Sequence, residues 1–132
     1  MKVICQDQQD PTSNINGAEF SRPEQVHDLF LQLRGRTPFM FELKGENGFK
    51  FLVGFSEECG CIQFSRADGA PPYLVAVSED TPETEEVVEF LAGGTPTPIQ
   101  QRFCLPLSMV EDIVTMFVRD GTRSNMVSWE EI

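Results

Sequence analysis

Alternating large apolar residues between positions 39 and 55 constrain the fold of this chain more than any other feature. Phe39, Phe41 and Leu43 alternate with a methionine and a glutamate, and positions 49–55 alternate in the same way. Successive side chains of a β-strand point to opposite faces, so this period of two predicts two strands that share one buried, aromatic face. The Gly-Glu-Asn-Gly segment between them is a turn signal, which predicts a hairpin.

Further strand-like segments lie on both sides of this hairpin. One short strand is predicted near the N-terminus, over residues 2–5, and another at residues 126–129. Clusters of Gly, Pro, Asp and Glu separate the central segments at short intervals, and this spacing predicts a meandering antiparallel sheet. The central predicted strands are 39–43, 49–55, 61–64, 73–77, 87–91 and 99–104.

The segment that precedes the hairpin has the period of an amphipathic helix. Ser21 and Glu24 have the spacing of a capping box, in which each side chain accepts a hydrogen bond from a backbone N–H of the first turn. Gly35 ends the predicted helix. The apolar residues that recur at spacings of three and four, and are expected to be buried, are Val26, Leu29, Phe30 and Leu33.

A second amphipathic helix is predicted near the C-terminus. Ser108 and Glu111 form another capping box, so the helix is expected to begin at Ser108, and Gly121 supplies a left-handed stop. Its predicted buried stripe is Val110, Ile113, Val114 and Phe117.

The order helix, strands, helix, strand predicts an α+β fold in which a meandering antiparallel sheet carries two amphipathic helices on one face. A length of 132 residues predicts one domain over 1–132. No apolar run approaches the roughly 18 residues of a membrane span, and the N-terminus lacks a basic region followed by a hydrophobic stretch. We therefore expect a cytoplasmic protein, with a monomer favoured and no membrane partner.

The charge of the chain restricts its partners. Ten basic and 21 acidic residues give a formal net charge of −11. Phosphate contacts need Lys and Arg, so direct binding of nucleic acid is disfavoured and a basic protein partner becomes plausible. The alternative is that the acidity only maintains solubility.

Acidic residues are densest between positions 79 and 89, around Pro82, in a segment that reads as an exposed loop. This loop has two interpretations: a docking surface, or a solvated connection whose like charges prevent edge-to-edge strand pairing. A second acidic pair in another predicted turn would extend a docking surface. The predicted partner contacts are Glu79, Asp80, Glu83, Glu85, Glu86, Glu57 and Glu58.

Signals of catalysis are weak. The single histidine, His27, is one position off the buried stripe of the first helix, which favours a solvent-facing or boundary residue. The pair Cys59 and Cys61 lacks the two-residue spacer of zinc knuckles and redox motifs, and Cys5 and Cys104 lie far away in sequence, so reduced thiols are predicted. Neither phosphate-binding glycine motif occurs. We predict no catalytic residue, no cofactor and no metal; a small enzyme or metal-binding regulator that uses His27 and the cysteines is the alternative.

The C-terminal segment combines a proline before the helix, an aromatic residue near its end, a glycine and a Val-x-Trp strand. This pattern resembles the type 1 immunity proteins of bacterial polymorphic-toxin systems, and the segments from Tyr73 onward resemble the preceding strands of that family in order and spacing. Ser124 departs from the family, which often has a proline between the glycine and the final strand. The matching residues are Pro106, Phe117, Gly121, Val127 and Trp129.

The resemblance implies an antidote used in interbacterial competition. Members of this family are commonly encoded beside toxins whose C-terminal domains are nucleic-acid deaminases. It therefore implies a toxin inhibitor that acts by stoichiometric occlusion of the active site or substrate groove; an acidic inhibitor of a nuclease toxin, or an adaptor, is the alternative. Trp129 has two interpretations, a family position at the interface or a clamp over the end of the core.

Overall fold

The computed structural model describes residues 1–7, 12–35, 38–78, 86–92 and 94–132. Within these ranges the helices are α1 (Pro23–Leu33), α2 (Leu107–Asp120) and a single 3-10 turn (Gln101–Phe103). The strands are β1 (Val3–Asp7), β2 (Glu19–Phe20), β3 (Phe39–Gly45), β4 (Phe49–Phe55), β5 (Cys59–Arg66), β6 (Leu74–Val77), β7 (Val87–Ala92), β8 (Thr95–Gln100), β9 (Leu105–Pro106) and β10 (Ser128–Glu131).

The strands form one sheet whose main path runs β10-β6-β5-β4-β3-β1-β2, with antiparallel neighbours throughout. The β7–β8 hairpin joins this path through one parallel contact, Phe39 beside Leu91, and β9 pairs with the start of β5. The predicted α+β class is confirmed, and so is the hairpin of β3 and β4. Among the described residues, no helix is long and apolar enough to cross a membrane.

Both helices pack on one face of the sheet, as predicted. The predicted stripes of α1 and α2 are buried, and Val118 extends the second one. Phe117 of α2 lies against Phe51 of β4 with ring centroids 4.2 Å apart, and Phe30 of α1 meets Phe55 edge to face at 5.3 Å. Aromatic side chains dominate this core because the period-two pattern of β3 and β4 directs them all to the helix side.

The opposite face of the sheet carries a second, smaller apolar cluster. Met40, Cys61, Phe90 and Cys104 are buried together there, with Val88 packed at the margin. Met40 alternates with the core phenylalanines of β3, so it must point away from the helices. The β7–β8 hairpin covers it by inserting Phe90, which has no exposed surface.

The chain between β7 and α2 differs from the prediction. A strand over 99–104 is wrong: β8 ends at Gln100, a 3-10 turn follows, and β9 contains Leu105 and Pro106. The sequence did not predict β8 because this strand contains Pro96 and Pro98. Proline lowers the strand signal, although edge strands tolerate it. The turn predicted at 57–60 is also shorter, since β5 begins at Cys59, and the final strand is Ser128–Glu131 rather than 126–129.

The helix starts also differ. Helix α2 begins at Leu107 with Pro106 at the N-cap, not at Ser108, because Leu105 and Pro106 pair with β5 and the chain turns directly from that strand into the helix. The side chain of Glu111 contacts His27 instead of closing a capping box. In α1 the N-cap is Arg22, one residue after the predicted Ser21.

The backbone N–H groups at the start of α1 are satisfied by Gln25 rather than by the predicted Glu24. The Oε1 atom of Gln25 accepts from the N–H of Ser21 at 2.8 Å and of Arg22 at 3.0 Å. The predicted ends are confirmed: Gly35 follows α1 with φ +84°, and Gly121 caps α2 with φ +72° and donates its N–H to the Phe117 carbonyl at 2.8 Å.

Candidate functional site

The turn between β4 and β5 presents two exposed glutamates, Glu57 and Glu58. Ser56 holds this turn in place: its Oγ accepts hydrogen bonds from the backbone N–H of Glu58 at 3.3 Å and of Cys59 at 3.1 Å. The same hydroxyl donates to the Cys59 carbonyl oxygen at 2.9 Å. The two carboxylates are therefore displayed from a turn of defined shape, on a serine that is itself buried.

This acidic turn lies beside the start of β7. A cavity of about 440 Å³ is lined by Glu57, Glu58 and Cys59 of the turn and, among other residues, by Pro38 and by Val88 of β7. Val88 is two residues beyond Glu86, which is exposed and whose backbone carbonyl accepts from the N–H of Gln101 at 2.9 Å. Glu86 therefore directly precedes a strand whose second residue lines the same cavity as the acidic turn. We call the surface formed by Glu57, Glu58 and Glu86 the acidic face.

The predicted partner contacts divide into two groups. Glu57, Glu58 and Glu86 are described and exposed; Glu57 and Glu58 line the cavity, and Glu86 lies two residues before Val88, which also lines it. The other four, Glu79, Asp80, Glu83 and Glu85, lie outside the described residues. The proximity of the acidic turn to Val88 could not be read from the sequence, because it depends on how β7 joins β3.

Three of the four cysteines share the sheet face that the β7–β8 hairpin covers. In the β5–β9 ladder Cys59 faces Pro106 and Gly60 faces Leu105, so continuing the register places Cys104 opposite Cys61 and diagonal to Cys59. Cys61 and Cys104 are buried, whereas Cys59 is half-buried and reaches the cavity at the acidic face. Cys104 lies far from Cys59 and Cys61 in sequence, so their proximity depends on the β5–β9 pairing, which no local pattern predicts.

The environments of the thiols differ. A hydrogen bond from the Cys104 thiol lowers the pKa of Cys59, and the Ser56 hydroxyl acts in the same direction. That bond and burial raise the pKa of Cys104. Burial raises the pKa of Cys61 to about 12 and, with the charge of Asp7, that of Cys5 to about 12. Cys59 is therefore the thiol that ionises first.

Trp129 lies at the other end of the sheet and packs on the core. Its ring stacks on Phe51 at 5.8 Å with an interplanar angle of 16°, and it meets Phe64 edge to face at 6.3 Å. The indole Nε1 donates to the Ser124 carbonyl oxygen at 2.9 Å. These contacts are those of a clamp, although one side of the ring borders an open groove of about 750 Å³.

Arg123 shares that groove and was not singled out in the sequence. Its guanidinium carbon lies 4.8 Å from the Phe64 ring centroid and 5.9 Å from that of Trp129, distances at which a cation is attracted to a ring face. No sequence signal identifies this arrangement, because it depends on β10 pairing with β6 and not with its neighbours in sequence.

His27 joins the two helices on the surface. Its Nδ1 lies 2.9 Å from Oε1 of Glu111, and its side chain is 62% exposed. Across the ranges that the structure describes, no group of three or more His, Cys, Asp or Glu residues is arranged to hold a metal ion.

The sheet order, the paired surface helices and the closing Trp129 strand define an α+β protein whose most distinctive surface is acidic. The family model for the immunity protein Imm1 matches residues 15–131. The chain belongs to the Imm1 immunity protein family, which confirms the resemblance drawn from the C-terminal residues and extends it over nearly the whole chain. An immunity role and a cognate toxin as partner follow from this membership. Among curated proteins, none matches the chain.

Proposed function

We propose that this protein is a single-domain cytoplasmic antitoxin that neutralises a nucleic-acid deaminase toxin by stoichiometric occlusion, without catalysis of its own. The observation that carries the proposal, beyond family membership, is that the acidic turn and the start of β7 meet at one cavity: Glu57, Glu58 and Val88 line it, and Val88 lies two residues beyond the exposed Glu86. The proposed contacts are the acidic face and the four acidic residues between 79 and 85.

The charge of the chain suits this target. A deaminase that acts on nucleic acid takes a base into a deep pocket and holds the flanking backbone with basic groups. A protein with a net charge of −11 that lies across the mouth of that pocket competes for the same basic groups and blocks entry of the base. The acidic face would attract the toxin over a distance and so accelerate encounter.

Charge alone does not hold such a complex. A stable interface buries about 1,600 Å² in total and depends on a few well-packed apolar or aromatic anchors. Beside the carboxylates of Glu57 and Glu58, the cavity offers apolar lining from Pro38 and Val88, which we call its apolar floor. In our proposal, the carboxylates set the association rate, and this floor contributes to the lifetime of the complex.

The first experiment is rescue of cells that express the C-terminal domain of the toxin encoded beside this gene. Survival with this protein, and co-purification of the two chains in a one-to-one complex, are the expected results. Deamination of a nucleic-acid substrate by the toxin alone, and its loss in the complex, identify the toxin class. A toxin that instead cleaves nucleic acid would contradict the deaminase assignment and leave the immunity role in place.

A charge reversal tests the acidic face. The variant Glu57→Lys with Glu58→Lys is expected to associate with the toxin about 10-fold more slowly at low salt, with a weaker dependence on ionic strength, because steering is lost. Stopped-flow association at several salt concentrations measures both quantities.

The matched control reverses two acidic residues elsewhere. Asp68→Lys with Glu131→Lys makes the same change in net charge, and Asp68 lies beyond the opposite end of β5 from the acidic turn. The control should slow association much less than the test variant. Equal rates for the two variants would show that total charge, rather than the acidic face, governs encounter.

A further inference from the structure

The dipeptide Asn-Gly occurs twice in the chain, at Asn16-Gly17 and at Asn47-Gly48, and the proposed function gives a role to neither. Asparagine before glycine is prone to deamidation, because the glycine nitrogen attacks the side-chain amide carbon and no Cβ hinders the attack. Both glycines lie in turns with positive φ, +79° for Gly17 and +86° for Gly48. The two sites therefore share their chemistry, and the structure distinguishes them by the hydrogen bonds around them.

Both reacting groups of Asn16-Gly17 are held against β1. The Asn16 Oδ1 atom accepts a hydrogen bond from the backbone N–H of Asp7 at 2.6 Å, and the Gly17 N–H donates to the Cys5 carbonyl oxygen at 2.8 Å. Asp7 and Cys5 are buried residues of β1, so the attacking nitrogen is released only when the loop separates from that strand. The fold therefore opposes deamidation at Asn16.

Asn47-Gly48, in the turn between β3 and β4, is exposed and held less tightly. The Gly48 N–H donates to the Gly45 carbonyl oxygen at 3.3 Å, beyond the usual limit of about 3.2 Å. The Asn47 Oδ1 atom accepts from the N–H of Phe49 at 3.2 Å, and its Nδ2 donates to the Gly121 carbonyl oxygen at 3.0 Å. These side-chain bonds are exposed to solvent, so they open without disturbing the core.

We propose that Asn47 is a site of spontaneous deamidation in the folded protein, and that the fold protects Asn16 from the same reaction. The inference does not depend on the toxin or on the acidic face. The Gly48 nitrogen attacks the side-chain carbon of Asn47, the bond from that carbon to Nδ2 breaks, and ammonia leaves with the proton of the Gly48 N–H. Water then opens the succinimide ring. Aspartate results when the new bond to the Gly48 nitrogen breaks, and isoaspartate when the original peptide bond breaks.

Deamidation removes a link between the β3–β4 turn and α2. The Nδ2 atom of Asn47 is the donor to Gly121, which caps α2, and the carboxylate that replaces the amide has no proton to donate. The new negative charge also lies at the C-terminal end of the helix, where the helix dipole disfavours it. We therefore expect the deamidated protein to melt about 3–6 °C below the unmodified protein.

Peptide mapping of the folded protein after incubation at mildly alkaline pH tests the proposal. Trypsin places Asn47 on peptide 45–50 and Asn16 on peptide 3–34, so mass spectrometry follows the two sites separately. Asn47 is expected to deamidate at least about 10-fold faster than Asn16 in the folded protein. In urea the two sites should react at similar rates, because the bonds to β1 are lost. Equal rates in the folded protein, faster reaction at Asn16, or an Asn47 that stays intact while the urea-unfolded chain reacts would overturn the proposal.

Variants test the consequence for stability. Asn47→Asp reproduces the aspartate product and is expected to melt about 3–6 °C below the wild type, as measured by circular dichroism. Asn14→Asp is the matched control: it adds the same charge at an exposed position of the loop between β1 and β2, and it should melt within about 2 °C of the wild type. Equal melting temperatures for the two variants would show that the bond from Asn47 to Gly121 does not stabilise the fold.

Discussion

Replacement of Trp129 is the most decisive test of the fold, because it distinguishes a residue that stabilises the core from one that contacts the toxin. The ring stacks on Phe51, contacts Phe64 and donates a hydrogen bond to the Ser124 carbonyl, yet one side remains open. Truncating a fully buried aromatic residue to alanine costs about 3–5 kcal/mol, and the open side places Trp129 near the lower limit. We therefore expect Trp129→Ala to lose about 3 kcal/mol of unfolding free energy.

A second variant separates the contribution of ring stacking from that of the Nε1 hydrogen bond. Trp129→Phe keeps most of the stacking but removes the Nε1 donor, so it should cost about 1 kcal/mol, the value of one hydrogen bond to a partly buried carbonyl. Leu31→Ala is the control: this α1 residue is 48% exposed, and a surface change of that kind stays within about 0.5 kcal/mol.

Urea unfolding followed by circular dichroism measures these differences. Trp129 is the only tryptophan, so tryptophan fluorescence would be lost in both Trp129 variants and could not report their unfolding. With a slope of about 2 kcal/mol per molar urea, Trp129→Ala should shift the midpoint down by about 1.5 M and Trp129→Phe by about 0.5 M. A midpoint for Trp129→Ala within about 0.5 M of the wild type would refute the clamp. Loss of protection against the toxin with that unchanged midpoint would place the ring in the interface.

Two further predictions concern glycines at which a side chain meets an obstacle. Gly54→Ala should lower the unfolding free energy by about 1–3 kcal/mol, because the new Cβ would lie 2.5 Å from the Cys61 Sγ. Adding Cys61→Ala should recover part of that loss in a double-mutant cycle. Strictly additive losses from the two substitutions would contradict the contact. Gly121→Ala and Gly48→Ala both place alanine at positive φ, which costs about 1–2 kcal/mol, but only at Gly121 does the new Cβ approach another group, the Met1 Sδ at 2.8 Å. Gly121→Ala should therefore melt at the lower temperature of the two, and equal melting temperatures would show that the backbone conformation accounts for the whole effect.

Local periodicity was sufficient to predict the parts of the fold that depend on neighbours in sequence. The stripe from Val26 to Leu33 and the alternation around Phe51 identified which faces are buried, because helices and strands impose different periods on the same apolar residues. The predicted helix starts were wrong by one residue. In α2, Ser108 has the ideal capping sequence, but Leu105 pairs with Gly60 and the chain turns from that strand into the helix before Ser108.

Long-range pairing could not be predicted, and the candidate sites depend on it. The acidic turn at Glu57 lies near Val88 only because β7 runs alongside β3, and Cys104 comes opposite Cys61 only because β9 adds to β5. Nothing in the local sequence specifies which strands become neighbours once turns are longer than a few residues. The acidic composition predicted a class of partner, whereas the position of the acidic face required the sheet order.

The two prolines of β8 have a consequence for self-association. Among the described residues, strand β8 pairs with β7 alone, so its other side is an open edge of the sheet as far as the structure describes it. Pro96 and Pro98 are two residues apart, so their nitrogens face the same direction, and proline is tolerated in a strand where that direction is away from the partner. The open edge therefore lacks two of the donors that an incoming strand would need. The two missing donors weaken backbone pairing between one molecule and the next at this edge, so contacts of this edge with another protein depend more on side chains.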